Sequence, residues 1–374
     1  MRPEGETGVQ THFRTLINYL NKKNIHCELI TPYSAPSLQV YPTFGLRIFI
    51  SLINSEWGVW WYRYWHAHFL LLALKKRLST GDSCIVYAQC PLSAQAALLA
   101  RFNRRQRVMM VTHFNISQAD EWVGKGLITE GGLLHQSIQT VEAIVIPKLD
   151  GLVFVSDFMQ KHLVKRIPEI LNVSSIVVPN FLQDPGFYDQ KEVTADLINI
   201  GTLESRKNQT YLLDIVASLR DMGRPLTLTL VGDGPDRREL KNKTRMLKLE
   251  NLVTFSGYLS KGGDRIGYHR AYIHVSIQES FGITLIEAFA RGRPVFAVPV
   301  GGIPEILGDQ SAGLKLPLND AKGAAKIVAD AMDDLNWMVA AGQAGRLRFL
   351  DKYENSIAAH RLIQFLLNPK EIYE

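Results

Sequence analysis

Three cysteines in 374 residues, Cys27, Cys84 and Cys90, stand at no metal-ligand spacing, so neither a disulfide framework nor a zinc site is expected. A reducing cytosol is the simpler setting. No Gly-x-Gly-x-x-Gly opens any part of the chain, and no Gly-Lys-Ser/Thr closes a phosphate loop. The first absence argues against the common dinucleotide-dependent oxidoreductases, and the second excludes the phosphate-loop NTPases. No Asp-x-Asp pair occurs either, which removes one way of holding a divalent metal. Residues 1–24 are polar and lack the apolar core of a secretory signal. The longest aromatic-rich stretch, residues 57–74, is broken by Arg63, His66 and His68 and makes a poor membrane span. Two readings of it stand: a mostly buried helix of a first domain, or a helix in a membrane interface with its Trp and Tyr rings at headgroup level.

What is present is the composition of a soluble globular protein, 46% hydrophobic and 21% charged, long enough for two domains that each bury a core. Formal net charge is +6. The cations cluster at Lys75-Lys76-Arg77, at Arg101, Arg104, Arg105 and Arg107, and at Lys161, Lys165 and Arg166. Solvated helix ends account for such clusters, and an anionic membrane surface is the second reading. Nucleic acid is not expected as a partner, because no binding motif accompanies the charge.

Short apolar, β-branched runs bounded by Asp, Gly, Pro or Asn alternate with longer helical stretches. The runs at residues 25–31, 84–88, 108–112, 151–155 and 176–178 form one series of expected strands. A second series, at 197–200, 226–231, 253–255, 273–277 and 294–297, is interleaved with expected helices at 209–222, 237–247 and 283–291. Such alternation predicts parallel sheets covered on both faces. We therefore expect two doubly wound Rossmann-like domains, at 1–180 and 181–352, followed by a helical tail at 353–374. A ligand cleft is expected between the C-terminal edges of their strands. The first domain opens directly into a helix at 9–21, so its usual first strand is expected to be missing, through loss or an upstream start.

The densest chemistry lies in Glu279-Ser280-Phe281-Gly282-Ile283-Thr284-Leu285-Ile286-Glu287, followed by Pro299-Val300-Gly301-Gly302. The apolar run before it reads as a strand, and Leu285, Ile286, Ala288, Phe289 and Ala290 give a helical apolar face. Gly282 then falls at the turn into the helix, where free backbone N–H groups favour a phosphate. Glu279 lies ahead of that helix and Glu287 inside it. A ligand carrying both phosphate and hydroxyl-rich rings suits all three, and a nucleotide sugar is such a ligand.

Over almost its whole length the chain resembles the retaining, two-Rossmann-domain glycosyl transferases of group 1, which have the GT-B architecture. Five ordered motifs carry the resemblance: Gly201-Thr202-Leu203-Glu204-Ser205-Arg206-Lys207-Asn208, Leu230-Val231-Gly232-Asp233-Gly234-Pro235, Phe255-Ser256-Gly257-Tyr258, the double-glutamate run, and Gly301-Gly302-Ile303-Pro304-Glu305. Gly8, Val111-Thr112-His113, Val155-Ser156 and Val178-Pro179-Asn180 match more loosely in the first half. Three departures occur: Thr202 where many relatives have Arg, Thr7 within a usual pair of glycines, and Phe181 where a glycine is common.

The resemblance implies a retaining transfer of a hexose from a UDP- or GDP-sugar to an acceptor hydroxyl, in polysaccharide or glycolipid assembly. It implies a nucleotide-diphosphate sugar and a glycan or lipid-linked acceptor as partners, and a cytoplasmic place, with the inner face of a membrane as an extension. With no Asp-x-Asp pair, no metal or other cofactor is expected. The charge of the leaving diphosphate falls instead to Arg206 and Lys207 and to the amides around Gly282, Ile283 and Thr284. Glu287 is expected to accept both hydroxyls of a ribose diol, since one carboxylate accepts two hydrogen bonds. A favourable acid near a helix N-terminus is its plainer reading. The resemblance puts Glu279 and His113 at the transferred sugar as the catalytic pair. It puts Ser256, Gly257 and Tyr258 at the base, and Gly5 and Gly8 at the phosphate or acceptor. A lone histidine at a strand end is otherwise a satisfied structural one, and a lone glycine pair a plain turn. Two other functions stay open: a nucleotide-sugar epimerase or sugar-phosphate synthase on the same fold, and a truncated, inactive relative that only binds.

Overall fold

The computed structural model describes residues 8–114, 116–186 and 193–369. The chain divides into two compact units, Met1–Pro179 with Ala359–Glu374, and Asn180–Ala358. In the first unit the elements run α1 (Gly8–Lys22), α2 (Ser37–Ile53), α3 (Ser55–Leu78), β1 (Cys84–Ala88), α4 (Pro91–Ala100), β2 (Gln106–Thr112), α5 (Gln118–Gly124), α6 (Leu133–Val145), β3 (Gly151–Phe154), α7 (Asp157–Arg166) and β4 (Ser175–Val177). The second unit holds β5 (Ala195–Ile200), α8 (Gln209–Asp221), β6 (Leu228–Val231), α9 (Arg237–Met246), β7 (Val253–Gly257), β8 (His269–His274), α10 (Ile283–Ala290), β9 (Val295–Ala297), α11 (Ile303–Leu307), β10 (Gly313–Lys315), α12 (Ala321–Asp333) and α13 (Leu335–Arg348). The last helix, α14 (Asn355–Leu367), starts in the second unit and continues into the first.

Both sheets are parallel. The first has the order β1-β2-β3-β4, and Val108, Met109, Met110 and Val111 of β2 are completely buried in it. Strands covered on both faces read as continuous apolar runs, which is why these four residues do not alternate with polar ones. The second sheet has the order β10-β9-β8-β5-β6-β7. Successive strands move outward from β5 through β6 to β7, and outward again from β8 through β9 to β10. The winding therefore reverses between β5 and β8, and the loops leaving these two neighbours flank a crevice at their C-terminal ends. Asn199, buried on β5, donates to the carbonyl of Ile273 on β8 (2.8 Å) across this switch point. Leu285, Ile286, Ala288 and Phe289 seat α10 in the core, at about 1.5–3 kcal/mol for each large side chain buried.

Three expectations about elements need correction. Residues 25–31 form no strand: Ile25 and Leu29 are exposed, and Thr31 caps a short 3-10 turn, Pro32–Ser34. An apolar run becomes a strand only where a neighbour offers its ladder. The strand expected at 273–277 begins four residues earlier, at His269. His269 is polar yet buried, because its two ring nitrogens lie 2.8 Å from the Arg265 carbonyl and 2.8 Å from Thr229 Oγ1. Strand β10, three residues long, had no signal in the sequence pattern. In the tail, Phe365 packs at Gly151 and Met109, and Arg107 donates to the carbonyl of Leu367 (3.0 Å).

Candidate active site

The loop after β5 and the loop after β8 meet at the switch point. The first turns through a 3-10 segment, Ser205–Lys207, and the second carries Glu279 to the start of α10. The amide of Ile277 donates to the carbonyl of Arg206 (2.9 Å), which ties the two loops by their backbones. Lys207 Nζ lies 2.6 Å from Glu279 Oε2, both side chains being largely buried. Arg206 instead pairs with Glu204, Nε to Oε1 2.5 Å. The two cations that look alike in the sequence thus have different partners.

Glu279 is fixed from its backbone as well. The amide of Gly302 donates to its carbonyl (3.3 Å), and Gly301 has a left-handed φ of 58°. A Cβ at Gly301 would fall 1.6 Å from that same carbonyl oxygen, so only glycine fits here. A similar restriction holds beneath the first loop, where a Cβ on Gly232 (φ 136°) would lie 1.9 Å from the carbonyl of Gly201.

Burial alone would raise the Glu279 carboxyl, but Lys207 beside it and the nearby His274 outweigh that and hold it well below the usual carboxylate range. His274, the last residue of β8, is completely buried with Nε2 3.5 Å from Glu279 Oε2. Burial lowers its pKa, so the ring stays neutral. The Tyr272 hydroxyl donates to Thr284 Oγ1 (2.7 Å) and lies 3.3 Å from His274 Nδ1. A polar chain Thr284–Tyr272–His274–Glu279–Lys207 therefore runs behind the loops. His274 and Tyr272 were missed in the sequence because both sit among buried strand residues, and the strand expected at 273–277 did not put them at its C-terminal end.

Helices α8 and α10 each begin at a left-handed residue, Asn208 and Gly282, with no side-chain cap. By contrast Asn54, Ser156 and Asp320 cap α3, α7 and α12 through their own side chains. An uncapped start leaves first-turn N–H groups for an anion. Ile283 and Thr284 supply that first turn, and Glu287 stands one turn further on. The carboxylate of Glu287 faces Gly263, whose added Cβ would lie 2.9 Å from Oε2. Ser256 and Gly257 close edge strand β7, Tyr258 follows them exposed, and the Gly257 carbonyl accepts from the Gly232 amide (2.8 Å).

In the first unit His113 directly follows β2. Its Nε2 lies 3.2 Å from Gln89 Oε1, and the Gln89 amide donates to the Tyr87 carbonyl (3.2 Å), which assigns the ring proton to Nε2. The buried ring of His12, on α1, stands edge-on to His113 at 4.7 Å between centroids, and its Nε2 is 3.4 Å from the Tyr87 hydroxyl. Burial, with His12 adding to it, holds His113 well below the ordinary histidine value. His12, Tyr87 and Gln89 were not found from the sequence, since α1, the end of β1 and the end of β2 meet only in the fold. Gly8 opens α1, and Gly5 lies outside the described residues.

Residues 183–348 match the family model of glycosyl transferases group 1, and residues 7–182 that of glycosyltransferase family 4. The chain belongs to the group 1 glycosyltransferases. It is 28% identical over 158 residues to the 2-deoxystreptamine glucosyltransferase of Streptomyces kanamyceticus, covering 41% of this chain and 40% of the relative. With the glycogen synthase of Mycobacterium tuberculosis it shares 25% identity, over 79% of this chain and 72% of that protein. Among solved structures, HepE of Anabaena in complex with UDP and glucose superposes with a TM-score of 0.67 at 17% identity, covering 80% of this chain and 81% of that one. This likeness establishes the GT-B fold, two Rossmann-like parallel-sheet units. No described helix is long and apolar enough to cross a membrane.

Proposed function

We propose that this group 1 member is a retaining, metal-independent transferase that moves a hexose from a UDP- or GDP-sugar to an acceptor hydroxyl. The observation that carries the reading is the Lys207–Glu279 pair beside the uncapped start of α10. In this reading Arg206, Lys207 and the amides of Gly282, Ile283 and Thr284 take up the diphosphate. Fixed cations and amides aimed at a leaving group that gains charge serve in place of a metal. Glu287 accepts the ribose hydroxyls, and Ser256, Gly257 and Tyr258 receive the base.

Glu279 stays ionised because Lys207 stays beside it, so it orients sugar hydroxyls and stabilises positive charge building at the anomeric carbon. The bond from that carbon to the diphosphate breaks, the acceptor oxygen bonds to it on the same face, and the departing phosphate takes the acceptor proton. A neutral His113 suits a hydrogen bond to the transferred hexose better than an imidazolium would. Gly8, with Gly5, belongs to the acceptor or phosphate loop. The HepE complex with UDP and glucose supports a nucleotide-sugar donor, and the glycogen synthase relative supports an acceptor in glycan assembly.

The test is incubation with a panel of UDP- and GDP-hexoses and candidate acceptors in the presence of EDTA, with the product anomer read by NMR. Product with the donor's anomeric configuration is expected. An inverted product, or a rearranged nucleotide sugar formed without acceptor, contradicts the reading.

A further inference from the structure

Helix α2 carries its apolar residues toward solvent. Leu38, Tyr41, Leu46, Phe49, Leu52 and Ile53 fall on one side of the helix at about 3.6 residues per turn and are exposed, Leu38 at 90% and Leu52 at 81%. The opposite side is filled, with Val40 completely buried against Ala35 and Phe69. Residues 37–55 contain no acid, and their one cation, Arg47, lies over the Tyr62 ring of α3 at 4.7 Å. The outward face is therefore uncharged over a helix about 25 Å long at 1.5 Å per residue. An apolar face of that extent on a surface signals a partner.

The neighbouring helix indicates which partner. On α3, Trp57, Trp60 and Tyr64 are exposed at three- and four-residue steps, and Trp60 stacks on Tyr64 with centroids 5.6 Å apart. The same stripe continues through His68 and Leu72 to the exposed Lys75, with Lys76 next to it. Amphipathic aromatics and lysines beside an aliphatic face suit a bilayer interface, which takes rings at its boundary and cations at its phosphates.

We infer that the α2–α3 hairpin docks the first unit on an anionic lipid surface, with α2 lying in the interface plane. The helix lies on the bilayer and does not cross it, since no described helix is suited to spanning. A second copy of the chain is the weaker occupant, because it brings the same +6 charge, which opposes self-association and favours an anionic bilayer. This inference stands apart from the proposed chemistry.

Vesicle flotation of the full chain tests it, using phosphatidylcholine with and without phosphatidylserine. The wild type is expected to float with the anionic vesicles and to detach as salt rises. The double variant Phe49→Asp/Leu52→Asp should bind at least about tenfold more weakly, with unchanged circular dichroism, because both side chains point into solvent. Lys75→Gln/Lys76→Gln should weaken binding by roughly fivefold for each lysine and leave the apolar face intact. A wild type that ignores anionic vesicles, or lysine and aspartate variants that bind like it, overturns the inference. A dimer in solution that the aspartate variant dissociates also overturns it, in favour of a second copy.

Discussion

The second unit holds its site by backbone, whereas the first holds its histidine by side chains. Glu279 is gripped at its carbonyl by the Gly301-Gly302 turn, its loop is bonded to that of Arg206, and Lys207 closes on its carboxylate at 2.6 Å. His113 is positioned by Gln89, just past the end of β1, and by the ring of His12 on α1. Backbone grips tolerate almost no substitution, because a Cβ in the wrong place has nowhere to go. Side-chain grips can be rebuilt with other residues. The sheets differ in the same direction: the winding reverses between β5 and β8, while the four described strands of the first unit run in sequence order.

Substitutions can break this contrast. Glu279→Ala is expected to lower kcat by about a thousandfold, within the range for losing an electrostatic stabiliser, while His113→Asn costs about a hundredfold. Circular dichroism should show both folded. A larger loss at His113 than at Glu279 would invert the proposed division of labour.

Glycines sharpen the comparison further. Gly301→Ala pushes a Cβ into the Glu279 carbonyl and is expected to cost more than about 2 kcal/mol and most of the turnover. Gly126→Ala, at a similar left-handed φ of 65° in the first unit but with nothing within 4 Å, should cost only about 1 kcal/mol and leave turnover unchanged. Urea titrations with parallel initial rates separate the two effects.

A pH effect is shared by both units. Burial holds His66 down to about 3 and lowers His113 and His274, so in each case the unfolded chain takes the proton first. Their contribution to stability is complete above the ordinary value of 6.5 and declines as pH falls toward the lowered ones. Glu279, also depressed, adds to the decline only below its unfolded value of 4.5. Thermal melts should therefore give a flat Tm near neutrality and a falling one below about pH 6.5, at a limiting slope of about 1.4 kcal/mol per pH unit for each buried histidine. A Tm that rises on acidification contradicts the buried, neutral rings.

Much of this was legible in the order of residues. Alternating apolar runs and helices give two parallel-sheet units, and Gly282 ahead of an apolar helical face gives the start of α10. The pairing of Lys207 with Glu279 was not legible, because 72 positions separate them and only the switch point brings them together. For the same reason Arg206 could not be told from Lys207. The start of β8 was misplaced because His269 looks like a loop residue until Thr229 and the Arg265 carbonyl are seen to satisfy it. The outward apolar face of α2 passed unnoticed, since its residues are those of an ordinary buried helix and the pattern does not say which side faces water.

The central claim is that fixed cations at the switch point of the second unit bind a nucleotide diphosphate. Isothermal titration with UDP and GDP in EDTA, on the wild type and on Lys207→Gln, tests it directly. The account predicts binding of one nucleotide by the wild type without divalent metal, and binding at least about tenfold weaker in the variant at unchanged Tm. Binding that requires added metal, or that is the same in both proteins, would contradict it.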